Sequence, residues 1–233
     1  MQLSLRLAAI SKMVHSGNRL VDVGCDHGYL PVYLVLNKKI PSAIAMDVRK
    51  GPLLRAKEHV QQYRVSDYIE LRLSDGLSAL KAGEGDTLVI AGMGGPLMER
   101  ILTEGRLVLD SFQELILQPQ SDIGHFRHFI RKQGWEIREE EMIVEDGKFY
   151  PMMRVTKSTE GYVPWTKEEE AFGRLLLEAR HPVLQLYLQR ELRIREQILE
   201  KLIQAGEGAR ERKAEVEEEQ RLLMAALTRY ESM

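Results

Sequence analysis

Four carboxylates in the first 75 residues stand beside glycines or close apolar runs, and their spacing defines a chemistry. Asp22 and Asp26 lie in Arg19-Leu-Val-Asp-Val-Gly-Cys-Asp-His-Gly-Tyr-Leu30. Asp47 closes Ser42-Ala-Ile-Ala-Met-Asp47, and Asp75 sits in Leu73-Ser-Asp-Gly76. The first stretch reads as an apolar strand entering a loop with glycines at Gly24 and Gly28, with a helix beyond. The second reads as another apolar strand ending in an acid. A βαβ unit of that kind places a nucleotide over the loop, and the acid at the second strand's tip accepts hydrogen bonds from ribose hydroxyls.

The loop narrows the choice of nucleotide. A pyrophosphate cradle requires G-x-G-x-x-G, whereas Gly24-x-x-x-Gly28 carries Asp26 at its centre. A carboxylate there repels a diphosphate and suits a ligand bearing an ammonium and a sulfonium. S-adenosylmethionine carries both. On this reading Gly24 lets the backbone approach the ligand, and Gly28 lets the next helix pack close to the strand. Asp22 meets the amino-acid part of the ligand, with Cys25 and His27 in the same loop. Asp47 takes the ribose and Val48 flanks the adenine. As the N-cap of the next helix, Asp47 would stand too far from Gly51-Pro52. Asp75 and Gly76 are expected against the adenine, where the carboxylate accepts from the exocyclic amine. The rival for them is an ordinary Asp-Gly turn.

Two further segments close strands at the same edge. Ala91-Gly-Met-Gly-Gly-Pro96 leaves Gly92, Met93, Gly94 and Gly95 bare where ligand and substrate meet in open α/β sheets. Gln118-Pro-Gln-Ser121 offers Gln118 and Gln120, flanking Pro119, to a base edge. A capping turn is the bland alternative.

The elements that must position these residues follow from the pattern. Residues 1–157 alternate strand and helix, with strands near 19–23, 42–46, 69–73, 87–91 and 114–118. Helices are expected near 28–38, 51–63, 76–81 and 95–105. The strands are short apolar runs, as in a parallel sheet buried on both faces. After Gly134 come two strand-like runs, Trp135 to Val144 and Phe149 to Lys157, around Glu145-Asp-Gly-Lys148, a hairpin signal. A doubly wound sheet closed by an antiparallel hairpin is the plan of class I methyltransferases. Composition shifts at Ser158–Pro164, and from Trp165 the chain reads as helix. Leu184, Leu188, Leu192, Leu199 and Leu202 form one stripe and Val216, Leu222, Leu223 and Leu227 another, separated by Gly206-Glu-Gly208. The expectation is an α/β Rossmann-like domain over 1–158 and an antiparallel helical coiled-coil appendage over 159–233.

Composition excludes several classes. The net charge of −2 carries no global nucleic-acid signature, so such binding requires a local basic face. The one cysteine, Cys25, excludes an internal disulfide, and no His spacing predicts a metal. No nucleophile elbow or Walker loop is present. No apolar run approaches the ~18 residues of a membrane span. Leu3, Leu7, Ile10 and Val14 share a helix face interrupted by Arg6 and Lys12, unlike a signal peptide, so a cytoplasmic protein is expected. Arg127, His128, Arg131 and Lys132 make a basic helix with Phe126 and Phe129 turned inward. It reads as a solvated face, or as one that meets RNA phosphates. Arg190, Arg193 and Arg195 cluster in the tail, where acids outnumber bases.

Asp22-Val-Gly-Cys-Asp-His-Gly-Tyr-Leu-Pro31, Ala91-Gly-Met-Gly-Gly95 and Gln118-Pro-Gln120 together resemble the bacterial tRNA (adenine-22-N1)-methyltransferase family, over essentially the full chain. Lys148-Phe-Tyr-Pro151 and the helical tail fit as well. The resemblance implies a class I enzyme that uses S-adenosylmethionine to methylate N1 of an adenine in the D-arm region of tRNA. The helical tail would help grip the tRNA. It puts Gly94, Gly95, Gln118, Pro119, Gln120 and Tyr150 on the substrate side, together with Arg127 and Arg131. The Asn/Asp-Pro-Pro-aromatic signature of amino-group adenine methyltransferases is absent after the fourth strand, which fits attack by a ring nitrogen. Asp26 is the candidate catalytic carboxylate, or else the partner of the cofactor's ammonium. A monomer is expected. The alternatives are a class I methyltransferase with another RNA, protein or small-molecule acceptor, and a non-catalytic cofactor-binding scaffold.

Overall fold

Helices cover both faces of the central strands, which is why those strands are apolar throughout. The computed structural model describes residues 1–159 and 161–231. They fall into two compact units, Met1–Tyr162 and Val163–Met233.

The first unit begins with α1 (Leu5–Met13), β1 (Leu20–Val23), α2 (Tyr29–Leu36), β2 (Ala43–Asp47), α3 (Lys50–Gln62) and β3 (Ile69–Leu73). It continues with β4 (Thr87–Met93), α4 (Gly95–Glu104), α5 (Arg106–Leu109), β5 (Glu114–Pro119) and α6 (Ile123–Lys132), and ends with β6 (Trp135–Glu145) and β7 (Lys148–Lys157). The seven strands form one sheet in the order β3-β2-β1-β4-β5-β7-β6. β1 to β5 run parallel, and β7 pairs antiparallel with both β5 and β6. The direction of winding reverses between β1 and β4, which opens a crevice at their carboxyl ends. Every residue of β1, β2 and β5 is buried.

Local chemistry explains the element ends. Ser4 caps α1, its Oγ accepting the Leu7 N–H at 3.2 Å. At the other end Lys39 Nζ donates to the Ser11 and Lys12 carbonyls at 2.7 and 3.0 Å, satisfying groups the helix leaves open. The β6–β7 turn is Asp146-Gly147, both at positive φ (50° and 73°), the geometry that matches strand twist in a two-residue hairpin.

Two sequence expectations are corrected here. The helix expected over 76–81 is a run of turns. Ser74 Oγ donates to the Gly76 carbonyl and accepts the Ala79 N–H, at 2.9 and 3.1 Å. A side chain that bonds local backbone in this way competes with a helix too short to offset its own nucleation. The second correction concerns α6. Arg127 and Arg131, expected on a solvated or RNA-facing side, are 1% and 6% exposed. Arg127 Nε donates to Glu140 Oε1 of β6 at 2.8 Å, and the Arg131 guanidinium lies 5.0 Å from the Tyr162 ring centre. Helical periodicity gives no sign of β6, the strand that covers this face.

In the second unit α7 (Lys167–Phe172) starts at a capping box between Thr166 and Glu169, followed by α8 (Arg174–Glu178). The long helices α9 (Pro182–Ala205) and α10 (Arg210–Glu231) are joined by a 3-10 turn, Gly206–Ala209. Leu184 and Leu188 of α9 and Val216, Leu223 and Ala226 of α10 are buried, and Arg195 pairs with Glu191 and Glu219 at 2.7 Å each. No helix among the described residues is long and apolar enough to cross a membrane.

The buried Arg127–Glu140 pair generates a stability prediction. Arg127→Ala takes a buried charged partner from the Glu140 carboxylate, whose side chain is 0% exposed, and should lower unfolding stability by about 3–5 kcal/mol in urea titration. Replacing both partners with apolar residues of similar volume should recover most of that. A loss below about 1 kcal/mol for Arg127→Ala would match a solvated pair instead.

Candidate active site

The carboxyl ends of β1, β2 and β4 border a cavity of about 1500 Å³. The loop after β1 forms its floor. The Gly24 and Cys25 amides donate to the Met46 carbonyl at 2.8 and 3.0 Å, tying this loop to the end of β2. Gly24 adopts φ +76°, and a Cβ there would run into the Met93 side chain, so the position takes glycine for both reasons. Gly24, Cys25 and Asp26 line the cavity. Burial pushes the Cys25 thiol up, and the nearby carboxylates of Asp22 and Asp47 push it further, so the group is a neutral wall atom rather than a thiolate.

Asp22, the penultimate residue of β1, is 6% exposed and lines the cavity. Its carboxyl is pushed up to about 7, first by burial, against which the Arg6 charge acts, and then by the Asp47 charge. Asp47 ends β2, and its Oδ1 accepts the Arg49 N–H at 2.9 Å. This bond fixes the carboxylate at the cavity while Arg49, not Asp47, holds the N-cap position of α3. Val48 beside it is 58% exposed and also lines the cavity. Asp75 and Gly76 complete this side, with Asp75 Oδ1 accepting from Arg100 Nη2 of α4 at 3.1 Å.

Gly92, Met93 and Gly94 border the opposite side. Gly95 lies behind it, where a Cβ would come within 2.7 Å of the Ser121 carbonyl oxygen, so the glycine lets two loops pass each other. Gln120 lines the cavity, but Gln118 is fully buried. Gln118 Oε1 accepts from the Gly92 N–H at 3.1 Å and from Arg6 Nη1 at 3.3 Å, and its Nε2 donates to the Pro119 carbonyl. Gln118 and the buried Pro119 therefore brace the wall rather than offer a base edge.

Five other expected site residues also lie outside the lining. Gly28 packs on α3, where a Cβ would stand 3.2 Å from that of Ala56. His27 turns its ring toward Tyr29, with centroids 5.4 Å apart, and its carbonyl bonds to His59 Nδ1 at 2.8 Å. Tyr150 lies beneath Arg6, 5.8 Å from ring centre to guanidinium carbon. Arg127 is buried against β6, and Arg131 is buried beside it on α6.

Several cavity residues were missed by sequence reasoning, notably Arg6, Tyr29, Arg55 and Arg100. Arg55 Nη2 approaches Asp26 Oδ1 at 3.7 Å, with His27 Nε2 at 3.4 Å from the same oxygen. One signal was available for Arg6, a charge interrupting the apolar face of α1. The helix is drawn over the cavity by Glu145 of β6, which accepts the Leu5 and Arg6 N–H groups at 2.6 and 3.4 Å.

The chemistry of these residues fits S-adenosylmethionine. A carboxylate-rich floor suits its ammonium and sulfonium, and the Gly24 cradle admits close backbone approach. Comparison with known proteins agrees. Residues 3–153 match the family model described as a methyltransferase domain. The tRNA (adenine(22)-N(1))-methyltransferase of Bacillus subtilis (strain 168) is 39% identical over 153 residues, covering 66% of this chain and 64% of that protein's length. A solved structure of the B. subtilis m1A22 tRNA methyltransferase superposes with TM-score 0.84 at 31% identity, covering 97% of this chain and 99% of that one. A Streptococcus pneumoniae protein described as a candidate tRNA (m1A22) methyltransferase, in complex with S-adenosyl-L-methionine, superposes with TM-score 0.87 at 32% identity, covering 97% and 100%. On the family match and this end-to-end likeness, the chain belongs to the methyltransferase family and, within it, groups with the bacterial tRNA (adenine(22)-N1)-methyltransferases.

Proposed function

We propose that the protein transfers a methyl group from S-adenosylmethionine to N1 of adenine 22 in the D arm of tRNA. The observation that carries this reading is the cavity at the β1/β4 switch point, with buried Asp22 and Asp47 at its edge, in a chain matched end to end by enzymes of that activity. The cofactor, when bound, supplies a methyl group activated on a sulfonium. Asp47 holds the ribose, and the Asp75–Arg100 pair lies at the adenine side. Gly92, Met93, Gly94 and Gln120 border the space left for the target base. Holding N1 in line with the methyl carbon supplies most of the acceleration. N1 forms the new bond as the carbon–sulfur bond breaks and its electrons return to sulfur. The base then carries positive charge, which Asp26 stabilises or relieves by taking an N6 proton. A target base in a folded tRNA is turned out of its stack to reach the cavity. The α9–α10 pair acts as a coiled-coil arm that grips the tRNA, and the protein works as a cytoplasmic monomer.

Label transfer from S-adenosylmethionine to unmodified tRNA transcripts tests the assignment. Transcripts with adenine at position 22 should take up label that is recovered as 1-methyladenosine, and those with guanine there should take up none. Equal labelling of both, or none of either, would favour another acceptor or the scaffold reading.

Asp22 sets a pH dependence. The cofactor's ammonium needs the ionised carboxylate, and with Asp22 at about 7 the affinity for S-adenosylhomocysteine should drop about tenfold per pH unit below 7 and level off above. Binding below pH 7 should release a proton, and Asp22→Asn should abolish the dependence in calorimetry. A flat wild-type profile would remove Asp22 from ammonium binding.

Asp26→Asn separates that residue's two roles. At saturating cofactor, kcat should drop on the order of 10²–10⁴ if the carboxylate acts on the base. A raised cofactor KM with kcat intact would make it a binding group.

A further inference from the structure

Arg6 and Asp22 face one cavity from different elements, α1 and the end of β1, and neither is neutralised by the protein. The Arg6 side chain makes a single hydrogen bond among the described residues, the 3.3 Å bond to Gln118 Oε1. No carboxylate oxygen among those residues lies within 4.0 Å of its guanidinium. The buried Asp22 carboxylate likewise accepts no hydrogen bond from a described residue. The two are close enough for the Arg6 charge to act on Asp22, yet too far apart to form an ion pair. A cation and an anion held apart at one end of a cavity are complementary to an amino-acid zwitterion, whose opposite charges sit on two groups attached to the same carbon.

We propose that Arg6 binds the α-carboxylate of the cofactor's methionyl end, opposite the ammonium held by Asp22. The assignment rests on the reading of this cavity as the S-adenosylmethionine site. The guanidinium is pre-positioned, which limits the entropy lost on binding. Tyr150 supports it from below, Gln118 fixes Nη1, and Glu145 anchors the α1 backbone at the Leu5 and Arg6 amides just before its Cα. Gly92 is part of the same arrangement. A Cβ there would stand 3.2 Å from Arg6 Nη1, so the glycine leaves the guanidinium free to lie along the end of β4. A planar fork facing a carboxylate is the geometry arginine serves and lysine does not.

A cycle of two ligands and two proteins tests this. S-adenosylhomocysteine is compared with its decarboxylated analogue, which keeps the amine, on the wild-type chain and on Arg6→Ala, by calorimetry. Wild type should prefer the carboxylated ligand by roughly 10- to 100-fold, the range of one charge-assisted hydrogen bond. In Arg6→Ala the two ligands should bind within about threefold of each other, as non-additivity of a direct contact requires. Arg6→Gln keeps a polar N–H donor on a shorter, uncharged side chain, should melt close to wild type, and should show the same collapse of preference. Preference retained in either variant, or absent in wild type, overturns the assignment. An equal loss of both ligands in the variants also overturns it, because it marks Arg6 as a structural support only. Failure of wild type to bind either ligand overturns the cofactor reading on which the assignment stands.

Discussion

A central strand buried on both faces must find every backbone hydrogen-bond partner in its two neighbours, and this constraint governs the molecule. β1 meets it with parallel ladders to β2 and β4. Because those neighbours wind outward in opposite directions, the carboxyl ends of all three strands meet at the edge that borders the cavity. The amino ends are closed by polar groups. Asn18 donates to Thr87, Thr87 to Glu114 and Arg19 to Asp86, all within 2.9 Å. One end of the sheet is thus sealed by internal hydrogen bonds and the other is left open for a ligand.

The open end tolerates charges the core would reject. Asp22 is the last polar residue of β1 before Val23 and the Gly24 turn, and burial disfavours its ionised form. The charge of an arginine from outside the sheet, brought over the cavity because Glu145 of the antiparallel extension grips the start of α1, acts against this only in part. The β6–β7 hairpin therefore does more than lengthen the sheet. It carries the anchor for α1, the ring beneath Arg6 and the carboxylate that neutralises Arg127. The fold extension and the electrostatics of the site are one construction.

Several of the residues expected in the site stand behind the cavity wall rather than on it. Gln118, Pro119, Gly95, Gly28, His27 and Tyr150 all carry polar groups or special backbone geometry, and all serve the wall from behind. Gln118 is the clearest case, a buried amide joining the β4 backbone to the α1 guanidinium. A loop residue near a site is as often needed to hold the wall as to form it.

Sequence alone determined the order of strands and helices, the Gly24 loop, the acids at the strand tips and the Asp-Gly hairpin. These depend on local rules: apolar runs of strand length, backbone positions that only glycine tolerates, and the fixed reach of a βαβ unit. It also determined which carboxylates meet at the edge, because strand ends in a parallel sheet converge whatever their distance in sequence. Tertiary structure decided the rest. The turn at 76–81 depends on a Ser74 hydroxyl bonding across five residues. The burial of Arg127 and Arg131 depends on a strand that arrives after the helix in the chain. Arg6 became a cavity residue only when a glutamate 139 positions away captured its amide. Charged side chains carry no periodic signature of their partners, and the free energy that fixes them comes from contacts between segments that sequence spacing does not relate.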